Sequence, residues 1–307
     1  MIALARSAPL QSYMQNSKNT KRLARHFVGE SNAVAALDMA ERLRQKGIRT
    51  SFHHLGNDAR NSTLIERNVA VLDCLISLLK SARVDGHVSV SPSHMGCGIN
   101  WDTGAGTFWP LAFGLQHATT GRDGQHCLMI NMEDHSTVGQ TIELYHRLNQ
   151  DGYPVAITLQ ANLKRTTNDL DRIIGTGGKV RLVKGAFPAA AKVSHVNQRA
   201  IRENYLQLVD LMLSHRARES GFYPIFATHD TGTQAHILQQ ADRNGWHAGS
   251  YEFELLYGIR PDLAEQLMGK GALVRLYVPF GEDWWPYAIR RIGEHPGNAR
   301  LLLGSVC

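Results

Sequence analysis

The chain has 307 residues, of which 43% are hydrophobic and 20% charged, and its formal net charge at pH 7 is +6. This composition is typical of an ordinary folded domain and argues against disorder, and no apolar run reaches the roughly 18 residues that a membrane-spanning helix needs. Lysine and arginine are spread along the chain without a long run, so the charge pattern gives no indication of nucleic-acid binding.

Residues 1–20 contain no apolar core of a secretory signal, so the cytoplasm is the expected location. The cysteines have no CxxC spacing and are interpreted as unpaired structural thiols rather than disulfides or zinc ligands. They are Cys74, Cys97, Cys127 and Cys307.

The chain alternates short β-rich apolar runs with longer amphipathic segments. A helix is predicted first, over residues 31–46, where a 3.6-residue apolar period follows a Ser-Asn cap and Gly47 ends it. Eight strands are predicted at residues 48–55, 87–91, 126–132, 154–161, 179–185, 223–229, 247–253 and 272–278. The amphipathic segments between them lie at residues 63–81, 136–151, 197–218, 233–244 and 261–270.

Eight strand–helix units within about 250 residues predict an α/β fold of the (β/α)₈ barrel type. Residues 1–47 are expected to form an N-terminal helical segment and residues 48–307 the barrel, closed by a C-terminal helix over its mouth. The Gly-rich segment 92–107 is predicted to be a loop that could form a lid over the substrate. Its GxG pieces lead into no clear helix, which argues against a Rossmann-type dinucleotide site.

In a barrel of this type the chemistry lies at the carboxyl ends of the strands and in the loops that follow them, which together form the mouth. Polar residues at so many predicted strand ends indicate a polar ligand there. These residues are His53, His54, Ser91, Asn131, Glu133, Gln160, Asn162, Arg181, Lys184, Thr228, His229, Glu252, Glu254 and Tyr277. Because His53 and His54 are adjacent, their rings point to opposite faces, unlike the HxH pair of a hydrolytic metal site.

The segment 281–298 reads as a loop followed by a helix that begins near residues 284–286. Tyr287, Arg290 and Glu294 share one stripe of this helix, and Arg291 flanks it. Two guanidinium groups side by side suit a carboxylate ligand, because their planar donors match its two oxygens. An exposed helix with an Arg290–Glu294 salt bridge is an equally good interpretation of the spacing.

The segment 179–187 is a predicted strand that ends in a basic turn containing glycine. Lys184 and the backbone around Gly185 have the character of a phosphate site. Arg181 has the opposite parity to Leu182 and is expected to point inward, where its charge needs an acceptor. His229, at the end of another strand, is more often a hydrogen-bonded structural residue than a catalyst at such a position.

Eight colinear blocks resemble the proline dehydrogenase family, which consists of flavin-bearing (β/α)₈ barrels. The blocks are HHLGN (53–57), NMEDHS (131–136), ITLQANLKRT (157–166), VRLVKGAF (180–187), FATHD (226–230), YEFELLYGI (251–259), VRLYVPFG (274–281) and YAIRRIGEHPGN (287–298). The YxxRRxxE helix and the RLVKGA turn are the most family-specific of them.

The resemblance implies an FAD across the mouth, with Gln160 and Arg181 close to the reactive edge of its isoalloxazine. The remaining cofactor-binding residues that it implies are Val183, Lys184, Gly185, Ala186, Thr228, His229, Glu254 and Glu294. Among these, Glu254 stands where the family commonly has a glutamine.

For the substrate, the resemblance implies that Arg290 and Arg291 grip the carboxylate while Tyr277, Tyr287 and Leu256 wall the ring. The implied reaction is hydride transfer from the ring carbon next to nitrogen to flavin N5, which oxidises proline to 1-pyrroline-5-carboxylate without a protein nucleophile. The implied electron acceptor is a membrane quinone, which allows peripheral contact with the inner membrane. Oligomeric state is left open.

The chain departs from the family pattern at two positions that would contact the substrate. Ser91 stands where the family has a lysine, and Asn131 stands where it has an aspartate. Loss of both partners of a charge pair is tolerable, whereas loss of one would leave a buried unpaired charge. Two interpretations follow: weaker use of free proline, or a pocket reshaped for a modified or related cyclic amino acid, such as one in a biosynthetic pathway. A catalytically silent barrel that binds a ligand is the alternative from a different class.

Overall fold

The computed structural model describes residues 28–56, 58–119, 126–285 and 287–288. Eight parallel strands close into a barrel in the order β1 to β8, with β8 pairing to β1. This confirms the predicted (β/α)₈ fold. The strands are β1 Arg49–His54, β2 Gly86–Val90, β3 Cys127–Ile130, β4 Val155–Gln160, β5 Lys179–Val183, β6 Tyr223–Ala227, β7 Glu252–Leu256 and β8 Leu273–Phe280.

The helices surround this barrel. They are α1 Ala33–Arg44, α2 Ser62–Leu79, α3 Trp101–Gly106, α4 Phe108–Thr119, α5 Val138–Gln150, α6 Thr166–Gly175, α7 Gln198–Met212, α8 His215–Glu219, α9 Thr231–Arg243 and α10 Pro261–Met268. Several begin at an Asn cap: the side chains of Asn32, Asn61 and Asn197 accept the backbone N–H three residues on, at 2.8 to 3.0 Å. α1 packs against β1 and α2.

The two faces of each strand have different surroundings, as the two-residue period of a strand requires. Outward-facing residues such as Phe52, Leu128 and Leu182 are fully buried in the large apolar core shared with the helices. Inward-facing Met129 and Ile225 belong to a separate small cluster in the middle of the barrel. The barrel interior therefore has an apolar part beside its buried polar side chains.

Two local predictions were wrong. The seventh strand was predicted at residues 247–253 but runs Glu252–Leu256, because residues 247–250 turn with Gly249 at φ +98° and Ser250 N bonded to His247 O at 3.1 Å. Glu252 consequently begins its strand and lies at the bottom of the barrel rather than at the mouth.

Segment 92–107 was predicted to be a loop but is largely helical. A 3₁₀ helix spans Pro92–Met95, and α3 follows, capped by the Asn100 side chain, which accepts from Thr103 N at 2.9 Å. The second GxG piece therefore lies inside α3 and leads into α4. The glycine content of the segment suggested a loop. Gly104 is instead required by close packing, because a Cβ there would collide with the backbone of Cys97.

The amino-terminal end of the barrel contains a buried ionic network. Arg275, 1% exposed, donates to Glu252 Oε1 at 2.7 Å, to Asp85 Oδ1 at 2.8 Å and to the backbone oxygen of Thr50 at 2.9 Å. Arg49 also donates to Glu252, at 3.1 Å. Charged groups at this end of a (β/α)₈ barrel stabilise the fold, since the chemistry lies at the other end.

We expect Arg275→Met to lower the free energy of unfolding by about 3–5 kcal/mol, because it leaves the carboxylate of Glu252 buried without its main partner. Equilibrium urea denaturation measures this loss. Arg199→Met is the control: the Arg199 side chain is 89% exposed beside Glu203 and should be replaceable without a measurable change. A loss below about 1 kcal/mol for Arg275→Met would contradict the role of this network.

Candidate active site

Arg181 is the centre of the barrel mouth and is only 4% exposed. Its Nη1 donates to Glu254 Oε1 at 2.8 Å, and its Nη2 donates to Asn131 Oδ1 at 2.6 Å. Thr158 Oγ1 accepts from Nη2 at 2.8 Å and from Nε at 3.1 Å, and Ser89 Oγ lies 3.3 Å from Nη2. The inward direction of Arg181 and its need for an acceptor are confirmed.

Two of these partners, Ser89 and Thr158, were missed as site residues. Each precedes a predicted site residue by two positions on the same strand, Ser89 before Ser91 and Thr158 before Gln160. Because strand residues two apart share a face, this parity was the signal that could have found them.

The two positions that depart from the family pattern lie together. Asn131 Nδ2 donates to Ser91 Oγ at 3.0 Å, and Ser89 Oγ donates to Asn131 Oδ1 at 2.7 Å. Ser91 and Asn131 are 9% and 8% exposed. Neutral hydrogen bonds therefore connect β2 and β3 at this point, and Arg181 is the cation that they contact.

Tyr277 forms one wall of the mouth. Its ring lies 5.3 Å from Arg181 Cζ, within cation–π range, and 5.3 Å from the ring of His53. His53 Nδ1 lies 3.2 Å from Ser89 O, which can only accept, so this nitrogen carries the proton. Burial, reinforced by His94 nearby, lowers the pKa of His53 to about 3. The ring is therefore neutral at physiological pH.

The predicted cofactor residues line the ends of β4 and β5. Gln160 is 3% exposed and its Nε2 donates to Glu133 O at 2.8 Å. Val183 ends β5, and the turn that follows contains the exposed Lys184 and Ala186. Gly185 has φ +101°, and a Cβ there would collide with the side chain of Asn162. This turn requires glycine on both grounds.

Thr228 and His229 follow β6 and are fixed by local hydrogen bonds. Thr228 O accepts from Gln234 Nε2 at 2.9 Å. His229 Nε2 accepts from Leu256 N at 2.9 Å, which ties the end of β6 to the end of β7. Leu256 pairs with Tyr277 across β7 and β8. His229 thus has the structural bond that the sequence favoured, and it contacts one predicted substrate residue, Leu256.

Only the beginning of the predicted C-terminal helix is described. Ala288 N bonds to Trp284 O at 3.0 Å, as a helical turn requires, and Tyr287 packs on a small apolar cluster that includes Trp284 and Leu55. Arg290, Arg291 and Glu294 lie outside the described residues.

The described part of the chain contains neither a group of three His, Cys, Asp or Glu side chains able to hold a metal ion nor a helix long and apolar enough to cross a bilayer.

Comparison with known proteins relates the chain to one family along most of its length. The family model described as proline dehydrogenase matches residues 36–302. Proline dehydrogenase 1 of Bacillus subtilis (strain 168) is 29% identical over 287 residues, which cover 92% of this chain and 90% of the relative. The proline dehydrogenase of Deinococcus radiodurans is 29% identical over 286 residues, covering 92% and 89%.

Among solved structures, proline utilization A from Bdellovibrio bacteriovorus, inactivated by N-propargylglycine, superposes with a TM-score of 0.76 at 20% identity. The match covers 93% of this chain but 35% of that much longer chain. At this identity the likeness establishes the fold, and it agrees with the closed barrel described above.

We expect Gly185→Ala to lower the thermal unfolding temperature more than Gly249→Ala. Gly249 has nearly the same backbone conformation, φ +98° against +101°, but no atom lies within 4 Å of an added Cβ. The control therefore measures backbone strain alone, about 1–3 kcal/mol. Asn162→Ala should recover part of the additional loss at position 185. Equal losses for the two glycine variants would mean that the contact with Asn162 is unimportant.

Stability should fall on acidification partly because of His53. Its pKa is about 3 in the folded protein against 6.5 for an exposed histidine, so between these two pH values the unfolded chain binds a proton that the folded chain does not. The stability that His53 contributes is full above pH 6.5 and declines as pH falls towards 3.

Urea denaturation gives the free energy of unfolding at about pH 7.5 and at about pH 5. Between these two values His53→Gln should lose roughly 1–2 kcal/mol less of it than the parent chain does. His247→Gln, at an exposed position, serves as the control. Parallel pH profiles for the parent and His53→Gln would disprove this contribution.

Proposed function

The chain belongs to the proline dehydrogenase family, and from this premise we propose that it oxidises proline to 1-pyrroline-5-carboxylate with a bound FAD. The observation that carries the proposal is the buried Arg181, surrounded by acceptors in the mouth of a barrel whose sequence matches the family over residues 36–302. Burying a guanidinium costs free energy that only surrounding acceptors offset. Its presence at this depth therefore indicates a structural or a chemical role. Its contact with Asn131, which follows β3, shows that it faces the carboxyl ends of the strands, where such barrels carry their chemistry.

The residues at the ends of β4, β5 and β6 fit a flavin nucleotide. The exposed ammonium of Lys184, next to Gly185 with its positive φ, suits an anionic phosphate. Arg181 is placed to stabilise negative charge on a planar ring system, and the buried Oε2 of Glu254 has no hydrogen-bond partner. Gln160, Val183, Ala186, Thr228 and His229 complete the proposed cofactor site, with Glu254 and Glu294 on the flavin side. The flavin, when bound, supplies the hydride acceptor.

For the substrate, we assign the carboxylate to Arg290 and Arg291. Tyr277 and Leu256, which pair across β7 and β8, would wall the ring together with Tyr287. The work of these residues is positioning: they would hold the ring carbon within about 3–3.5 Å of its acceptor and keep water out. Arg181 would act electrostatically, since its position is fixed by partners on four other strands.

A related cyclic amino acid is the second candidate substrate. Ser91 and Asn131, proposed to contact the substrate, bond to each other without charge, at 3.0 Å. A mouth with this neutral pair has one cation fewer for a free carboxylate than the family pattern offers. Modified prolines or rings of another size would suit such a pocket.

The electron acceptor is proposed to be a quinone, reached by peripheral contact of the protein with the inner membrane. A quinone analogue that reoxidises the substrate-reduced flavin faster than oxygen does would support this step, and equal rates would contradict it.

Arg290→Lys and Arg291→Lys should each raise KM for the substrate by roughly 10- to 150-fold, the value of one charge-assisted hydrogen bond, with a smaller effect on kcat. Lysine keeps the charge but loses the planar fork of donors. Arg199→Lys, on the exposed face of α7, is the matched control. Unchanged KM in both clamp variants would remove these arginines from the substrate site.

The function itself is tested with the purified protein and a panel of cyclic amino acids. The protein should show flavin absorbance that bleaches on anaerobic addition of substrate, with the cyclic imine as product. Efficient turnover of plain proline would rule out the reshaped pocket, and exclusive turnover of an analogue would establish it. A colourless protein, or one whose spectrum no panel member changes, would instead indicate a silent ligand-binding barrel.

A further inference from the structure

Arg181 has one acidic partner within the described chain. Glu254, 3% exposed, lies 2.8 Å from Nη1, whereas the remaining acceptors, on Asn131, Thr158 and Ser89, are neutral. The pair is thus a compensated charge in a buried environment, and removal of the carboxylate would leave the positive charge of the guanidinium uncompensated.

The geometry fixes this pair in place. Arg181 is held by side chains from β2, β3, β4 and β7, and the ring of Tyr277 covers it at 5.3 Å. With so many contacts, the guanidinium has little freedom to move when a charge beside it changes. A change at position 254 should therefore alter the electrostatic potential in the mouth more than the arrangement of the side chains.

We propose that Glu254 is a tuning residue, which lowers the reduction potential of the bound flavin by neutralising Arg181. The inference rests on the proposed function, because it places the reactive edge of the flavin beside Arg181. Reduction adds negative charge to the ring system, so a nearby uncompensated cation favours the reduced form. The carboxylate of Glu254 cancels much of that attraction and keeps the flavin harder to reduce.

Asn131 provides the opposite test on the same guanidinium. Its Oδ1 lies 2.6 Å from Arg181 Nη2, so Asn131→Asp adds a second carboxylate with almost no change in shape. The proposal therefore predicts shifts of opposite sign: Glu254→Gln removes negative charge from Arg181, and Asn131→Asp adds it. The double variant Asn131→Asp/Glu254→Gln moves the carboxylate from β7 to β3 and restores the balance.

The experiment is a spectroelectrochemical titration of the flavin in the holoenzyme and these three variants. We expect Glu254→Gln to favour reduction at least tenfold, a shift of about 30 mV to more positive potential for a two-electron couple. Asn131→Asp should shift the potential in the negative direction, and the double variant should lie close to the parent. Glu203→Gln, an exposed carboxylate on α7, is the charge control and should leave the potential unchanged.

A Glu254→Gln potential equal to or more negative than that of the parent would overturn the inference. If that variant does not accumulate, an Asn131→Asp potential that is unchanged or more positive overturns it equally. The two levels of failure are distinguishable. A protein that binds no flavin refutes the proposed function, whereas a flavin that proline reduces but whose potential ignores both substitutions refutes only the role of Glu254.

Discussion

A guanidinium group buried in the barrel interior determines how the mouth is built. Removal of a charge from water costs several kcal/mol unless acceptors surround it. Arg181 on β5 finds them on β2, β3, β4 and β7, which are Ser89, Asn131, Thr158 and Glu254. One side chain thus requires four other strands to be in register. The polar side chains of the mouth therefore compensate the buried charge of Arg181 as well as suiting a polar ligand.

The opposite end of the barrel also contains a buried arginine, but its acceptors are different. Arg275 on β8 is also buried, but two carboxylates, of Glu252 and Asp85, and two backbone oxygens, of Thr50 and Asp85, receive its donors. The barrel interior also holds the apolar cluster of Cys127, Met129, Ala156 and Ile225. The lower guanidinium has two carboxylates among its acceptors, whereas the upper one has a single carboxylate, otherwise neutral acceptors and an aromatic wall. The upper end therefore retains electrostatic influence on a ligand.

Much of this could be predicted from the sequence, since the alternation of strand and helix patterns gave the barrel and strand parity gave the inward direction of Arg181. The errors arose at glycines, because glycine occurs both in turns and at tightly packed positions of helices. Gly104 and Gly106 suggested a loop although they lie within a short helix, and the strand predicted from residue 247 concealed the turn at Gly249. The identity of the partner of Arg181 could not be predicted, because Glu254 lies 73 positions further along the chain and no local signal in the sequence indicates their contact. The resemblance to the family marked Asn131 and Glu254 as unusual, and the structure adds that both contact Arg181.

The proposed function requires that a flavin, Arg181 and the carboxylate of an amino acid meet in the mouth of the barrel. A crystal structure of the protein with a non-reactive cyclic carboxylate in place of substrate examines it most directly. We expect the isoalloxazine over the ends of β4 to β6 within hydrogen-bonding reach of Arg181, and the carboxylate between Arg290 and Arg291. A flavin bound elsewhere, or these two arginines turned to bulk solvent with the ligand in place, would contradict that arrangement.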